Sequence, residues 1–357
     1  MTQHLLFQVV DKIAETDRTV TLVLEPAHGS LTYRAGQFLT FLFGDLGATE
    51  IRRSYSLSSA PGIDAHPAVT VTKVTNGLVS RYLVDAVRPG DELTALPPAG
   101  RFVLDDAGGQ PRDIFLIGGG SGITPLYSHL KYVLHREPQS RVVLIDANRD
   151  AGRLIFRRAL TELAAAFPDQ FTAIHYLSSP REELAVLRRE MAPARLRWGR
   201  LSNALIEELV RRHLHFPAER ARFFLCGPPG LLVKTENTLG YLGFAAGQVH
   251  REVFTIKTVY RPDAERFPHS QVHLVWGDRS YHFPVLPGQH ILEAAQRAGL
   301  DLPYSCRSGS CTTCAAQCRA GKVEMYTQDG RQSSEETGGI VLTCVGYPLT
   351  PDVQLEM

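Results

Sequence analysis

Nine residues near the C-terminus, CRSGSCTTC at 306–314, restrict the fold of this chain more than any other stretch. They set Cys306, Cys311 and Cys314 in a C-x4-C-x2-C spacing, and with Cys318 they place four of the chain's six cysteines within thirteen residues. Thiols this dense suit a metal or redox centre in a reducing compartment better than a disulfide framework. A zinc site usually arrives as two close pairs, and a second CxxC pair is missing here. A fourth ligand then comes from Cys318 or Cys344. Cys318 lies four residues past Cys314 and continues the alternating AAQC segment toward a small core. Cys344 sits in the β-rich IVLTCVGYP, which can return to the loop.

The set Cys306, Cys311, Cys314 and Cys344 has the spacing of a plant-type [2Fe–2S] cluster. A thiol redox loop or a zinc loop is the alternative reading of the same residues. The filler fits an anionic cluster that backbone N–H groups must approach closely. Ser308, Gly309, Ser310, Thr312 and Thr313 are small, and Gly309 can take backbone angles closed to other residues. Upstream, VHLVWGDRSYHFPV alternates apolar residues around Gly277-Asp278 and predicts a hairpin. HILEAAQRAG predicts a short helix ending at Gly299. Hairpin, helix and cysteine loop, with the string PYSCR-x-G-x-C-x-x-C, closely resemble plant-type ferredoxins. The resemblance implies an α+β, β-grasp domain over residues 269–357.

The remainder is too long for one more ordinary domain: 357 residues suggest two or three. A hydrophobic fraction of 44% with 21% charged residues belongs to a globular chain with a real core. Thirty-eight basic against thirty-seven acidic residues give no electrostatic case for nucleic acid. No run of eighteen apolar residues exists, so no membrane association is expected. The opening MTQHLLFQVVDK lacks a basic n-region and a long apolar core, so the expected location is the cytoplasm.

Patterning divides these residues. Residues 1–107 read as strands and turns (VTLVLEP, QFLTFLF, AVTVTKV) with almost no helical periodicity, predicting an antiparallel β-barrel. From 108 to 255, short apolar runs (DIFLIGGG, RVVLIDAN, FTAIHYLS, RFFLCGPP) alternate with helical segments, predicting a parallel α/β domain. Residues 256–268, rich in proline and charge, read as a linker.

GGGSGITP at 118–125 follows the strand DIFLI directly and leads into LYSHLKYVLH. Such a strand-to-helix turn lets backbone N–H groups and a helix N-terminus hold a pyrophosphate. Pro125 stands where a G-x-G-x-x-G fingerprint has its third glycine, so these residues alone also allow a plain βα turn. IRRSYSLSS at 51–59 alone could be an edge strand. Beside GGGSGITP and CGPPG at 226–230, however, it closely resembles the ferredoxin–NADP reductase family, whose flavin motif R-x-Y-[ST] is here Arg53-Ser54-Tyr55-Ser56.

The resemblance covers essentially the whole chain and implies roles residue by residue. Arg53 would pair with the FAD pyrophosphate, Tyr55 would pack on the flavin ring, and Ser56 would point to its reactive edge. The backbone of Val71 to Val74, including Lys73, would touch the flavin. Gly77, Leu78, Val79 and Ser80 would make a second pyrophosphate contact. Gly119, Gly120, Ser121, Gly122 and Thr124 would bind the pyridine nucleotide. Cys226 and Gly227 would lie by the nicotinamide, with Glu252 and Phe254 near the flavin edge. Ser56, Cys226 and Glu252 would shape the site of chemistry. Leu231 departs from the methionine many relatives carry, which would affect packing only. Read alone, Cys226 is a buried strand end and Glu252 a solvated charge.

Nucleotide choice would rest on the residues after the second parallel strand, LIDANRDAGRLIF. Arg149 or Arg153 could reach a 2′-phosphate, and SSPREE at 178–183 resembles a Ser-Arg element used for that phosphate. Asn148-Arg149 resembles an Asn-Arg pair that relatives carry here, and Asp146 and Asp150 flank that pair and could favour NADH instead. The expected cofactors are FAD, a [2Fe–2S] cluster and NADPH (or NADH). The domain order resembles oxygenase reductases, implying that electrons pass from NAD(P)H through FAD and the cluster, singly, to an oxygenase or other electron-acceptor protein. A diaphorase-type reductase and an electron-transfer subunit with a different acceptor are the alternatives. A hydrolase or transferase on a nucleotide-binding scaffold has no Ser-His-Asp or paired-carboxylate signature to support it.

Overall fold

A computed structural model describes residues 4–357 except 45–50, 180–188, 193, 255–262, 305–306, 308, 310–312 and 328–329. It divides into a larger unit, Gln3–Pro98 with Phe102–Phe254, and a smaller one centred on Thr255–Met357.

The larger unit begins with β1 (Leu5–Thr16), β2 (Thr19–Pro26), β3 (Phe38–Phe43), β4 (Ile51–Ser56), β5 (Ala68–Thr72), the short helix α1 (Leu78–Arg81) and β6 (Glu92–Ala99). The strands form one sheet in the order β4-β3-β6-β1-β2-β5, antiparallel in the pairings described. Side chains alternate across each strand, so Phe7 and Val9 enter the core while Gln8 between them stays out. Leu22, Leu24, Leu39, Phe41, Val69, Val71 and Leu83 complete that core, each fully buried side chain contributing about 1.5–3 kcal/mol.

The same unit continues through β7 (Asp113–Gly118), α2 (Ile123–Arg136), β8 (Arg141–Asn148), α3 (Arg157–Ala166), β9 (Phe171–Leu177), β10 (Arg195–Trp198), α4 (Asn203–His213), β11 (Arg222–Cys226), α5 (Pro229–Tyr241) and β12 (Val249–Glu252). These strands form a parallel sheet ordered β10-β9-β8-β7-β11-β12. Helices cover both faces, so β7 is buried at every residue, as a continuous apolar run requires. The order reverses between β7 and β11, the place where open α/β sheets leave a crevice for ligands.

Barrel and α/β sheet are joined by a buried histidine. His129 of α2 is fully buried, and its Nε2 lies 3.2 Å from the carbonyl of Ala35 and 3.1 Å from that of Phe102. Its ring packs on Phe102 and Phe224. Gly36 has φ +88°, and a Cβ there would sit 1.9 Å from the Phe102 carbonyl oxygen, so only glycine fits beside this joint. Burial drives the His129 pKa down to about 3 from an ordinary 6.5, against the two carbonyl contacts, which raise it. The unfolded imidazole therefore takes its proton near pH 6.5 while the folded one does not until about pH 3, and stability is lost as pH falls through that window. Thermal unfolding of the parent should drop more between pH 7 and pH 5 than that of His129→Gln, which keeps a donor and cannot titrate. Equal drops would remove His129 as the source.

The C-terminal unit holds β13 (Ser270–Trp276), β14 (Arg279–Val285), α6 (Ile291–Arg297), β15 (Ala315–Ala320), β16 (Val323–Thr327), β17 (Gly330–Ser333), β18 (Ile340–Leu342), β19 (Gly346–Pro348) and β20 (Asp352–Glu356). One sheet runs β14-β13-β20-β15-β18, with β13 and β20 parallel, and a second runs β17-β16-β19. The expected hairpin turns at Gly277 (φ +58°), and the expected helix stops at Gly299 (φ +79°). Helix α6 buries Ile291, Leu292, Ala294 and Ala295 against the larger sheet, which is the β-grasp arrangement. Phe267, from the segment read as linker, packs with Tyr326 and Tyr347 of this unit. No helix among the described residues is long and apolar enough to cross a membrane.

Candidate functional site

The crevice at the strand reversal is lined by backbone, because glycines let backbone come close. A Cβ on Gly118 would lie 2.4 Å from the Cys226 carbonyl oxygen, one on Gly119 would lie 2.1 Å from that of Ala147, and one on Gly122 would lie 2.1 Å from that of Cys226. Gly120 takes φ +58°. The loop passes through a short 3-10 turn, Gly120–Gly122, into α2. Pro125 falls in the first turn of that helix, where a missing N–H costs nothing. The departure from the three-glycine fingerprint is therefore harmless. Thr124 is buried and its hydroxyl donates to the Ser121 carbonyl at 2.8 Å, so it staples the loop from within. Ser121 is part-exposed at the loop's tip.

At the far side of the crevice, β11 and β12 end with Cys226 opposite Glu252. Ser56, the last residue of β4, donates from Oγ to Glu252 Oε2 at 3.1 Å. Three residues nominated from sequence thus converge from the barrel and the parallel sheet. Glu252 keeps some surface exposure, but its carboxyl is enclosed by protein. Burial pushes its pKa up to about 8, partly opposed by the Ser56 hydrogen bond. Burial also pushes the Cys226 thiol up, with Glu252 adding to the effect, so it stays a neutral thiol and not a nucleophile. A carboxyl that titrates near neutrality can hold or release a proton at working pH. Gly227 follows, within reach of the Gly119 backbone. Phe254 is exposed just past β12, and Leu231 packs against the core beneath, as expected.

On β4, Arg53 and Tyr55 alternate onto one face. Arg53 is exposed, and Tyr55 lies 6.2 Å from Phe41 between ring centroids, its pKa pushed up to about 12 by burial. Beyond β5, the Val74 N–H donates to Ser80 Oγ at 3.1 Å, and that hydroxyl donates to the Gly77 carbonyl at 3.3 Å. Val74 and Leu78 are more than half exposed beside this turn. Lys73 Nζ is paired with Asp85 at 2.9 Å. The Val71 and Val79 side chains are committed to the barrel core, which leaves the backbone, the part expected to touch a flavin at Val71, to face a cofactor.

Arg149 is exposed at the end of β8, beside Ser178 and Ser179, whose N–H groups donate to the carbonyls of Asn148 and Arg149. Arg153 is exposed too, while residues 180–183 lie outside the described part. Asp146 faces inward at 1% exposure, bonded to His175 and Asn148, so its carboxylate is not presented to a ribose. His175 and His129 escaped the sequence reading, as did the inward bonding of Asn148. A charged or polar residue inside the apolar runs LIDAN and FTAIHYL was the available signal.

In the C-terminal unit, Cys306 and Cys311 lie outside the described residues. Cys314 and Cys344 are both buried, at 1% and 2% exposure. The backbone N–H and Oγ1 of Thr343 both donate to the Cys314 carbonyl, at 3.1 and 3.2 Å, which holds the Cys344 segment against Cys314. Cys318 turns its thiol to the Ala320 and Gly321 carbonyls instead. Thr313 Oγ1 is buried with no partner among the described residues. Gly309, at φ +74°, is closed in by Thr327 and Val345. The Arg307 guanidinium lies 4.1 Å from the Tyr304 ring centroid.

These features fit the three groups. The glycine cradle suits a pyrophosphate, the face of β4 with exposed Arg53 and part-buried Tyr55 suits a flavin, and buried thiols beside a hydroxyl with no partner among the described residues suit a sulfide-bridged cluster. When bound, FAD supplies two-electron chemistry and the cluster one-electron chemistry, which the protein aligns.

Comparison with known proteins agrees. Residues 6–104 match the oxidoreductase FAD-binding domain, residues 116–237 the oxidoreductase NAD-binding domain, and residues 275–349 the 2Fe-2S iron-sulfur cluster binding domain. The chain is 31% identical to the ferredoxin reductase component of 3-ketosteroid-9-alpha-monooxygenase from Rhodococcus rhodochrous, over 98% of this chain and 94% of that protein. It is also 31% identical to one of the polypeptides of 1,2-phenylacetyl-CoA epoxidase from Escherichia coli K12, over 96% of this chain and 94% of that one. Phthalate dioxygenase reductase shares the fold at a TM-score of 0.59 and 19% identity, over 99% of this chain and 98% of that one.

Proposed function

Because the chain belongs to the family of oxygenase reductase components that carry FAD-, NAD- and [2Fe–2S]-binding domains in one polypeptide, we propose that it takes electrons from NADPH and delivers them singly to an oxygenase of the phenylacetyl-CoA epoxidase kind. Ser56, Glu252 and Cys226 form the wall at which nicotinamide and flavin meet. Glu252 holds a proton there, and Ser56 fixes its carboxyl. Cys306, Cys311, Cys314 and Cys344 hold the cluster, and Arg307 offers a cation to the acceptor's docking surface. Thiols kept for a cluster suit a reducing compartment, and the cytoplasm is the location proposed.

The preference for NADPH rests on one observation. Of the two acids flanking the Asn148-Arg149 pair, Asp146 is turned inward and Asp150 is part-exposed, while Arg149 is exposed just past β8. A charge-assisted hydrogen bond contributes about 1.5–3 kcal/mol, enough for tenfold discrimination or more. Steady-state oxidation of NADPH and NADH with ferricyanide should show a higher kcat/KM for NADPH. Arg149→Ala should erase most of that preference through KM and leave NADH turnover unchanged. A parent that prefers NADH would overturn the assignment. The acceptor is tested by supplying the reduced protein with the epoxidase and with the ketosteroid oxygenase components. Faster turnover with the latter would replace the first acceptor class.

A further inference from the structure

The face of the parallel sheet beneath α2 and α3 carries Val142, Leu144, Ala173 and Leu177 in its core. At the crevice end of that same face, alternation along β8 and β9 places Asp146, Asn148 and His175. Their exposures are 1%, 8% and 0%. Burying a carboxyl and an imidazole is costly unless both are tied to partners, and a strand that only had to pack would hold leucine or valine here. The pleat register sets Asp146 opposite His175. Asp146 Oδ2 accepts from His175 Nδ1 at 3.1 Å and from Asn148 Nδ2 at 2.8 Å. With its NH2 committed inward, Asn148 has its Oδ1 turned to the crevice, where it accepts the N–H of Gly120 at 3.0 Å. The chain of bonds thus runs from a fully buried imidazole to one backbone amide of the glycine loop. Asp146 Oδ1 and His175 Nε2 have no partner among the described residues, so the cluster has not been arranged for polar satisfaction alone.

We infer that Asp146 and His175 are positioning residues for nucleotide binding, acting through the Asn148 carboxamide to hold the glycine loop in its receptive shape. The inference rests on the reading of that loop as the NAD(P)H site. An amide has two orientations. Only the one enforced by an acceptor at Asp146 points oxygen at Gly120; the flipped one would set two donors against each other. Gly120 sits at φ +58°, at the corner where the loop turns into the helix. A strut on its N–H fixes the direction in which the following loop amides face. His175 in turn keeps Asp146 Oδ2 in place. None of the three needs to touch the nucleotide for its affinity to depend on them.

The test uses the full-length protein carrying FAD and cluster, with NADPH as the probe and ferricyanide as the acceptor. His175→Leu removes the donor, whereas His175→Asn places an amide N–H where the imidazole Nδ1 stood. The expected result is a KM for NADPH raised about tenfold in His175→Leu, the worth of roughly one net hydrogen bond. Its kcat and flavin spectrum should match the parent, and His175→Asn should restore the parental KM. A parental KM in His175→Leu overturns the inference. So does an equal rise in both variants, which would mean that the site needs the imidazole's bulk and not its donor. If His175→Leu does not fold, Asn148→Ala removes the strut itself at the strand's end, and a parental KM there overturns the inference equally. A parent that oxidises NADH alone moves the same test to NADH, whereas one that binds neither nucleotide sinks the nucleotide-site reading as a whole.

Discussion

Replacing Cys314 by serine is expected to leave nucleotide-driven bleaching of the flavin near its parental rate and to abolish electron delivery to a protein acceptor. The two activities are carried by separate units. Ser56, Glu252 and Cys226 converge within the larger unit, and Cys314 belongs to the core of the C-terminal one. Metal affinity falls 10–100-fold when even an outer-shell partner is lost, so losing a ligand should cut delivery by more than about two orders of magnitude. The substitution removes one thiol of the proposed ligand set while keeping the side chain's size, so the β-grasp core around Ala316, Val341 and Val345 should survive. Cluster content, read from iron and acid-labile sulfide, should fall with delivery. Equal loss of flavin bleaching and delivery would contradict the modular scheme. Cys318→Ser should keep the cluster, because that thiol is turned toward the carbonyls of Ala320 and Gly321.

Gly122→Ala should be nearly as damaging, at the other end of the electron path. The added methyl would lie 2.1 Å from the Cys226 carbonyl oxygen, 2.4 Å from its carbon and 2.7 Å from the Gly227 nitrogen. All three atoms are backbone, so no side chain can swing aside, and the end of β11 must move. A misplacement of about 1 Å can cost on the order of 100-fold in rate. We expect kcat/KM for NADPH to fall by about that factor with FAD content unchanged. The control is Gly230→Ala, near the start of α5, where a methyl meets nothing within 4 Å. Equal activity in the two variants would show that the crevice tolerates movement of the β11 end.

Much of this was legible in the chain because it depends on local spacing. The cysteine triplet, the glycine turn between an apolar strand and a helix, and Arg53-Ser54-Tyr55-Ser56 each carry their chemistry within ten residues. What was not legible depends on register and on contacts across the chain. His129 reads as one more polar residue in LYSHLKYVLH; its role exists only because Ala35 and Phe102 close around it. Asp146 reads as a flanking acid able to meet a ribose. The β8–β9 register sets it against His175 and turns it inward. Val71 was nominated for its backbone and Val79 for its turn; that their side chains enter the barrel follows from strand alternation and the buried side of α1. Spacing already favoured Cys344 over Cys318, and the Thr343 bonds to Cys314, which hold the Cys344 segment beside it, depend on contacts that spacing does not display.

The most direct measurement is an anaerobic titration of the purified, coloured protein with NADPH and, separately, NADH. Flavin and cluster absorbance are followed together, and a low-temperature electron spin resonance spectrum is taken at the end. The expected result is that NADPH bleaches the flavin and then produces the signal of a reduced [2Fe–2S] cluster, at lower nucleotide concentration than NADH does. A protein in which neither nucleotide bleaches the flavin, or whose bleached flavin leaves the cluster oxidised, would contradict an electron path running from NADPH through FAD to the cluster within this one chain.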